Sequence, residues 1–228
     1  MIILTDIHEE IEKADIVINQ YPNETFILLG DYFDKKFSAP SNSYKVAEWV
    51  KSKLYDKRFT LLWGNHDLPY AFPDNYHVQC GGYNKERQYY INKVLNAEDW
   101  NKFKWFTSHK NWLFSHAGIN KNHAKSIEEL NFHVNEATNC LKSARYHRFF
   151  DASSTRGGRL EPGKGGIVWE DWSEFKPYAG YNQIIGHTPG AKPRWKKGKK
   201  TINLNINVKE MHYVIIDIDK NIVSTHKI

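Results

Sequence analysis

Gly30-Asp31-Tyr32-Phe33-Asp34 and Gly64-Asn65-His66-Asp67 each close a run of apolar residues, Phe26 to Leu29 and Phe59 to Trp63. A short apolar run of that kind reads as a buried strand, here delivering polar groups at its C-terminal tip. Asp6-Ile7-His8 closes a third strand, Met1 to Thr5. Two histidines stand in the same setting: His116 after Trp112 to Ser115, and His187 after Ile184 to Gly186. Five strand ends bearing hard oxygen and imidazole groups are what a two-metal hydrolytic site requires.

Around these blocks the first half alternates strand with helix. Helical spacing predicts helices over Glu9 to Gln20 and Asn42 to Tyr55, with further candidates at Tyr83 to Leu95, Asp99 to Ser108 and His123 to Leu141. Asp99 is placed to cap the fourth of these, because its carboxylate can accept a free backbone N–H. Asp151 to Gly166 is rich in Gly, Ser and Arg and reads as a long loop. Thr201 to Ile206, Met211 to Ile218 and Asn221 to Thr225 read as successive strands. This order predicts a layered α/β fold with mixed sheets, in which sites gather at the carboxyl ends of strands.

The chain of 228 residues is expected to form one domain, 1–228, with a substantial core. Its 40% apolar and 14% aromatic content exclude disorder. No apolar run reaches the roughly 18 residues a membrane span needs. No basic segment precedes the apolar stretch at Met1, so a signal peptide is not expected; its removal would take Asp6 and His8 with it. Cys80 and Cys140 have no paired spacing and read as reduced thiols, so a cytoplasmic setting is expected. The net charge of +6 favours phosphate-rich partners. Its densest run, Lys192 to Lys200 with Trp195 inside it, reads either as a nucleic-acid patch or as a solvated hairpin or loop.

The five blocks in this order resemble the calcineurin-like metallophosphoesterase superfamily over most of the chain. Ser115-His116-Ala117-Gly118 and Gly186-His187-Thr188-Pro189 are similar to its phosphoprotein phosphatase branch. Ile184 to Pro193 resembles the small lambda-type phosphatases of phages and bacteria, which implies the cytoplasm of a bacterial or phage-infected cell. The resemblance implies two mixed β-sheets packed as a sandwich flanked by helices. It implies two divalent metal ions, manganese first, with iron or zinc as alternatives. Asp6, His8 and Asp31 would hold one ion, and Asp31, Asn65, His116 and His187 the other. His66, oriented by Asp34, would protonate the leaving oxygen, work suited to an Asp–His pair.

The match fails in the residues that would touch substrate. The arginine expected after Asp34 is Lys35, which offers a point charge in place of a bidentate fork. Glu9 replaces a glycine and is expected near the mouth. Asp171 stands where a phosphate-binding arginine is expected, and Asn205-Ile206-Asn207 replaces an Asp-Thr-Gly block. Replacement cations are sought in Arg156 and Arg159, or in Arg145 and Arg148. These observations imply a metal-dependent phosphomonoesterase acting on a phosphorylated substrate, whether phosphoprotein, nucleotide or small phosphoester. The alternatives are a nucleotide-directed hydrolase, cleaving dinucleotide polyphosphates or nucleic-acid phosphates, and a non-catalytic phosphate- or nucleic-acid-binding module.

Overall fold

The computed structural model describes residues 1–178, 180–198 and 201–228. Two five-stranded mixed sheets stack face to face. In chain order the strands are β1 (Ile2–Leu4), β2 (Phe26–Leu28), β3 (Phe59–Leu61), β4 (Phe106–His109), β5 (Trp112–Ser115), β6 (Asn182–Ile185), β7 (Arg194–Lys197), β8 (Ile202–Asn205), β9 (His212–Asp217) and β10 (Ile222–Lys227). The first sheet runs β10-β9-β1-β2-β3 and the second β4-β5-β6-β8-β7. β1, β2 and β3 are mutually parallel, as are β5, β6 and β8. In the first sheet the antiparallel strands β9 and β10 lie together on one side of the parallel three, and in the second β4 and β7 flank the parallel three, so in each sheet the parallel strand tips are neighbours.

The short central strands are apolar on both faces because both are covered. Ile3, Ile27, Leu29 and Leu62 pack against Trp112, Phe114, Ile184 and Leu204 between the sheets. Their neighbours Ile2, Leu4, Phe26 and Leu28 point the opposite way, toward the helices, as the two-residue repeat of a strand demands. Each such side chain, fully withdrawn from water, contributes about 1.5–3 kcal/mol.

The helices are α1 (Ile11–Gln20), α2 (Asn42–Leu54), α3 (Leu68–Ala71), α4 (Lys85–Asn92), α5 (Ala97–Trp100) and α6 (Ile127–Lys142). α1 buries Ile11, Ala14, Val17 and Ile18, a single apolar stripe. α4 begins where the Asn84 side chain accepts the Glu86 and Arg87 N–H groups, and α6 where Ser126 accepts that of Glu129. The expected helix from Asp99 to Ser108 is not formed. Asn96 caps α5, Asp99 sits inside it with its carboxylate accepting the Asn96 N–H at 3.0 Å, and the chain then turns into β4. Phe106 to His109 pairs instead with β5, a long-range gain that helical spacing cannot register. No helix of the described residues is long and apolar enough to cross a membrane.

The basic run divides. Lys199 and Lys200 lie outside the described residues; Arg194 to Lys197 forms the edge strand β7. There the Lys196 ammonium turns inward and donates to the Phe175 carbonyl at 3.0 Å.

The long segment after α6 is pinned at several points. Glu174 accepts from Ser153 Oγ at 2.8 Å and from the Gly163 N–H at 2.9 Å. Buried His123 accepts the Asn120 N–H on Nδ1 at 3.2 Å, so Nε2 carries the proton and donates to the Gly165 carbonyl at 2.8 Å. Burial lowers the His123 imidazole from 6.5 to about 4. A histidine kept neutral in the fold takes up its proton first in the unfolded chain. Its contribution is therefore full above about 6.5 and drains away as pH falls toward 4, by roughly 3 kcal/mol in all. Denaturant unfolding of the wild type should show that decline, and His123→Gln should flatten it; an unchanged slope in the variant would exclude this role.

Candidate active site

Asp6 and His8 follow β1, Asp31 and Asp34 follow β2, Asn65 and His66 follow β3, His116 follows β5 and His187 follows β6. The parallel registers bring all five tips to one place. The backbone there is unusual. Asp6 (φ 47°), His8 (40°), Asp31 (58°), Asp34 (69°) and His187 (64°) are all left-handed, a conformation that costs a non-glycine residue about 1–3 kcal/mol. That strain persists only because neighbouring contacts over-determine these turns.

The contacts are an interlock between the two loops quoted at the outset. Gly30 and Gly64 pass so closely that a Cβ on Gly30 would lie 2.3 Å from the Gly64 nitrogen, and one on Gly64 would lie 2.1 Å from Asp31 Oδ1. Asp67, fully buried, accepts the N–H groups of Asp31 (2.9 Å), Tyr32 (2.9 Å) and Gly64 (2.8 Å). The His66 N–H in turn donates to Asp31 Oδ1 at 2.9 Å. Nothing in the sequence by itself assigns Asp67 this role. Its position in the same block as two site residues was the available signal.

Asp31, Asn65, His116 and His187 converge. His116 Nε2 lies 3.0 Å from Asn65 Oδ1, 3.2 Å from His187 Nδ1 and 3.3 Å from Asp31 Oδ2. Its Nδ1 faces the Leu29 carbonyl at 3.0 Å and must donate to it, so in the neutral ring the Nε2 lone pair points at the Asn65 and Asp31 oxygens and at His187 Nδ1. His8 repeats the arrangement on the other side of Asp31: Nδ1 donates to the Phe33 carbonyl at 2.7 Å, and Nε2 stands 3.7 Å from Asp31 Oδ2. A carbonyl on one ring nitrogen fixes the tautomer that presents the other as a ligand. Asp6 completes this side, its Oδ1 held by Asn207 Nδ2 at 2.7 Å and its Oδ2 by Thr5 Oγ1 at 2.6 Å and the His187 N–H at 3.0 Å.

The electrostatics state the same demand. Burial pushes the Asp31 carboxyl up, but the His116, His66 and His8 rings outweigh it and hold it well below the usual carboxylate range. Burial opposes charge on His116, yet Asp31 and Asp6 raise its pKa to about 9. His187 is driven the other way, first by burial and then by the charge of His116. Its Nε2 is buried with no hydrogen-bond partner among the described residues. Acceptors aimed at one another need a shared cation, and carboxylate, amide oxygen and imidazole are the donors that hold divalent first-row metals. The residues present fit a metal pair.

Beside this cluster, His66 Nδ1 bonds Asp34 Oδ2 at 2.9 Å, leaving Nε2 free, and the ring lines an open cleft. Asp34 is steadied by the Tyr70 hydroxyl, and Arg87 Nε lies 4.0 Å away. Arg87 was not foreseen. It pairs with Glu9, so Glu9 is buried in an ion pair and not at the mouth as expected. The same guanidinium donates to the Lys35 and Ser38 carbonyls at 3.2 and 2.8 Å, anchoring the loop that follows Asp34. No local pattern marks Arg87, since the partners of its guanidinium come from 44 or more residues away.

Of the sought-for cations, Lys35 lines the cleft and pairs with Glu10 at 3.1 Å. Arg156 Nε bonds Asp171 Oδ2 at 2.6 Å, and its charge helps depress His187. Asp171 thus holds an arginine at the place where one was missing. Arg159 is engaged elsewhere, by Asp151 at 3.0 Å and His77 at 3.2 Å, and Arg148 serves the Asn122 and His123 carbonyls. Asn207, noted in the sequence only as a departure, bridges Asp6 and the His187 carbonyl (2.8 Å).

If the Asp67 carboxylate holds the two loops in register, Asp67→Ala leaves three buried N–H groups unpaired and should cost roughly 3–5 kcal/mol in denaturant unfolding. Asp67→Asn, which keeps one acceptor oxygen, should cost less. A loss below about 1 kcal/mol for Asp67→Ala would refute the interlock.

The fold is shared with distant solved structures. A protein serine/threonine phosphatase from Saccharomyces cerevisiae superposes with a TM-score of 0.57 at 13% identity, covering 100% of this chain and 79% of that one. A metallophosphoesterase from Sphaerobacter thermophilus gives 0.51 at 14% identity, with 100% and 86% covered. The cold-active protein-tyrosine phosphatase of a psychrophilic Shewanella gives 0.51 at 12% identity, with 98% and 79% covered. No curated protein matches the chain. The family model for calcineurin-like phosphoesterases matches residues 1–216, nearly the whole sequence, and the chain belongs to that family.

Proposed function

We propose that the protein is a phosphomonoesterase that works with two divalent metal ions, manganese first and iron or zinc as alternatives. The observation that carries this reading is the mutual approach of Asp31, Asn65, His116 and His187, with the Asp31 carboxylate also facing His8. Asp6, His8 and Asp31 would hold one ion, and Asp31, Asn65, His116 and His187 the second. When bound, such a pair supplies Lewis acidity toward phosphoryl oxygens and a water acidic enough to attack near neutral pH.

The chain's own groups do the rest. Asp31 faces both sets and keeps them adjacent. Thr5 and Asn207 fix the rotamer of Asp6, and the Phe33 and Leu29 carbonyls fix the tautomers of His8 and His116. His66 presents Nε2 toward the cleft and gives its proton to the leaving oxygen. Asp34 orients the ring and stabilises its protonated form. Arg156, tethered by Asp171, supplies a fixed positive charge for the phosphoryl group, and Lys35, which lines the cleft, a second one. In the monoesterase and nucleotide-directed readings alike the bond broken is phosphorus–oxygen; a purely binding role would leave the oriented His66–Asp34 pair without work.

Manganese-loaded protein should hydrolyse p-nitrophenyl phosphate, and chelation should abolish turnover until metal is restored. Asp31→Asn and His66→Asn should each lower kcat by about a hundredfold or more. The Asp31 variant should also lose bound metal by elemental analysis, while the His66 variant keeps it. Absence of turnover with manganese, iron, zinc or cobalt would overturn the proposal.

A further inference from the structure

A cleft of about 420 Å³ opens directly off Asp6, His8, Asp34 and His66. On the reading above, His66 serves the leaving oxygen, so this cleft receives the leaving group. Lys35 and Lys36 line it from the segment after Asp34, and Val208, Lys209, Met211 and His212 from the segment after β8, with Glu10 also in the lining. Both segments have fixed backbones. Arg87 clamps the Lys35–Ser38 turn through two carbonyls. In the second segment the Gly190 N–H donates to the Asn207 carbonyl at 3.0 Å and the Lys209 N–H to the Gly190 carbonyl at 3.2 Å, while Asn207 is bolted to Asp6.

Glu10 offsets Lys35, and the Lys36 ammonium stands 5.0 Å over the exposed Phe37 ring, but among the described residues neither Lys36 nor Lys209 has an ion-pair partner. His212 donates Nδ1–H to the Glu210 carbonyl at 2.6 Å and keeps Nε2 available. Two anchored segments of one cleft, each bearing an ammonium group with no ion-pair partner among the described residues, suit a compact anion. Lysine serves phosphate as a point charge. The volume is that of a small-molecule site, at the lower end of the usual range of about 300–1,000 Å³. An uncharged leaving alcohol would gain nothing from these cations.

We propose that the preferred substrates are small phosphate monoesters whose leaving alcohol carries a second phosphate, the class of nucleoside 3′,5′-bisphosphates. This rests on the phosphomonoesterase reading. The second phosphate meets Lys36 and Lys209, and the apolar pair Val208 and Met211 takes the uncharged part of the alcohol. In the reaction a water oxygen bonds to phosphorus and the phosphorus–oxygen bond to the alcohol breaks. The electron pair stays on the alcohol oxygen, which takes the proton from His66, and the proton lost by water returns to solvent. The products are inorganic phosphate and a monophosphorylated alcohol.

The test compares adenosine 3′,5′-bisphosphate with adenosine 3′-monophosphate on the manganese-loaded protein. The bisphosphate should be favoured about tenfold or more in kcat/KM, the scale of one added charge-assisted contact. Lys36→Ala and Lys209→Ala should each shrink that preference, and the double variant should erase it, with p-nitrophenyl phosphate turnover unchanged. Equal rates for the two nucleotides, a preference that survives both substitutions, or a higher kcat/KM for an acidic phosphopeptide would each overturn the proposal. Calorimetric binding of the same pair separates the two readings. If no ester turns over, the phosphomonoesterase reading fails. Tighter bisphosphate binding, lost in the double variant, would still support the cleft, and equal binding would sink it.

Discussion

Everything at the site depends on how closely two backbone turns approach. The Gly30–Asp34 and Gly64–Asp67 loops are packed so that neither glycine could carry a Cβ, and Asp67 ties them with three hydrogen bonds to main-chain N–H groups. A carboxylate is the side chain that can accept several N–H bonds without needing to donate one. With the loops locked, Asp31 faces His8 on one side and His116 on the other, and the His66 N–H is drawn onto the same carboxylate. The left-handed backbone of five site residues is tolerable only inside such a lock.

The two sheets set the coarser geometry. Because β1, β2 and β3 are parallel, and β5 and β6 likewise, each apolar strand ends on the same side of its sheet. Inter-sheet packing of Ile3, Ile27 and Leu62 against Trp112, Phe114 and Ile184 then fixes one set of tips over the other. Mutual alignment of the strand-tip side chains from Asp6 to His187 is thus a property of the hydrophobic core, and close packing leaves little freedom to shift it. A second layer of polar contacts refines it: carbonyls on His8 and His116, Thr5 and Asn207 on Asp6.

Cations around the substrate are arranged differently from the ligand cluster. Arg156 reaches its place through a long, pinned loop and is held there by Asp171, a residue that in isolation reads as the wrong charge. Arg87 looks like a surface residue of a short helix, yet it is buried against Glu9 and holds the Lys35 turn. In both cases an acid that departs from the expected pattern positions a base. Charge is conserved at the level of the pair, and the pair forms only in three dimensions.

The sequence by itself determined the strands that end in polar residues, because short apolar runs followed by Asp, Asn or His leave little else to build. It determined most helices too, where a stripe such as Ile11, Ala14, Val17 and Ile18 repeats at helical spacing. Phe106 to His109 went astray because its pairing with Trp112 to Ser115 outweighs local preference. Only the tertiary structure decided that Arg156 pairs with Asp171 and Arg159 with Asp151, that Glu9 is buried, and that Asp67 and Asn207 brace the strand-tip loops. Periodicity records which face of an element is dry. Ion pairs and hydrogen bonds between residues tens or hundreds of positions apart leave no such record, and they exist only once the sheets have brought the strand tips together.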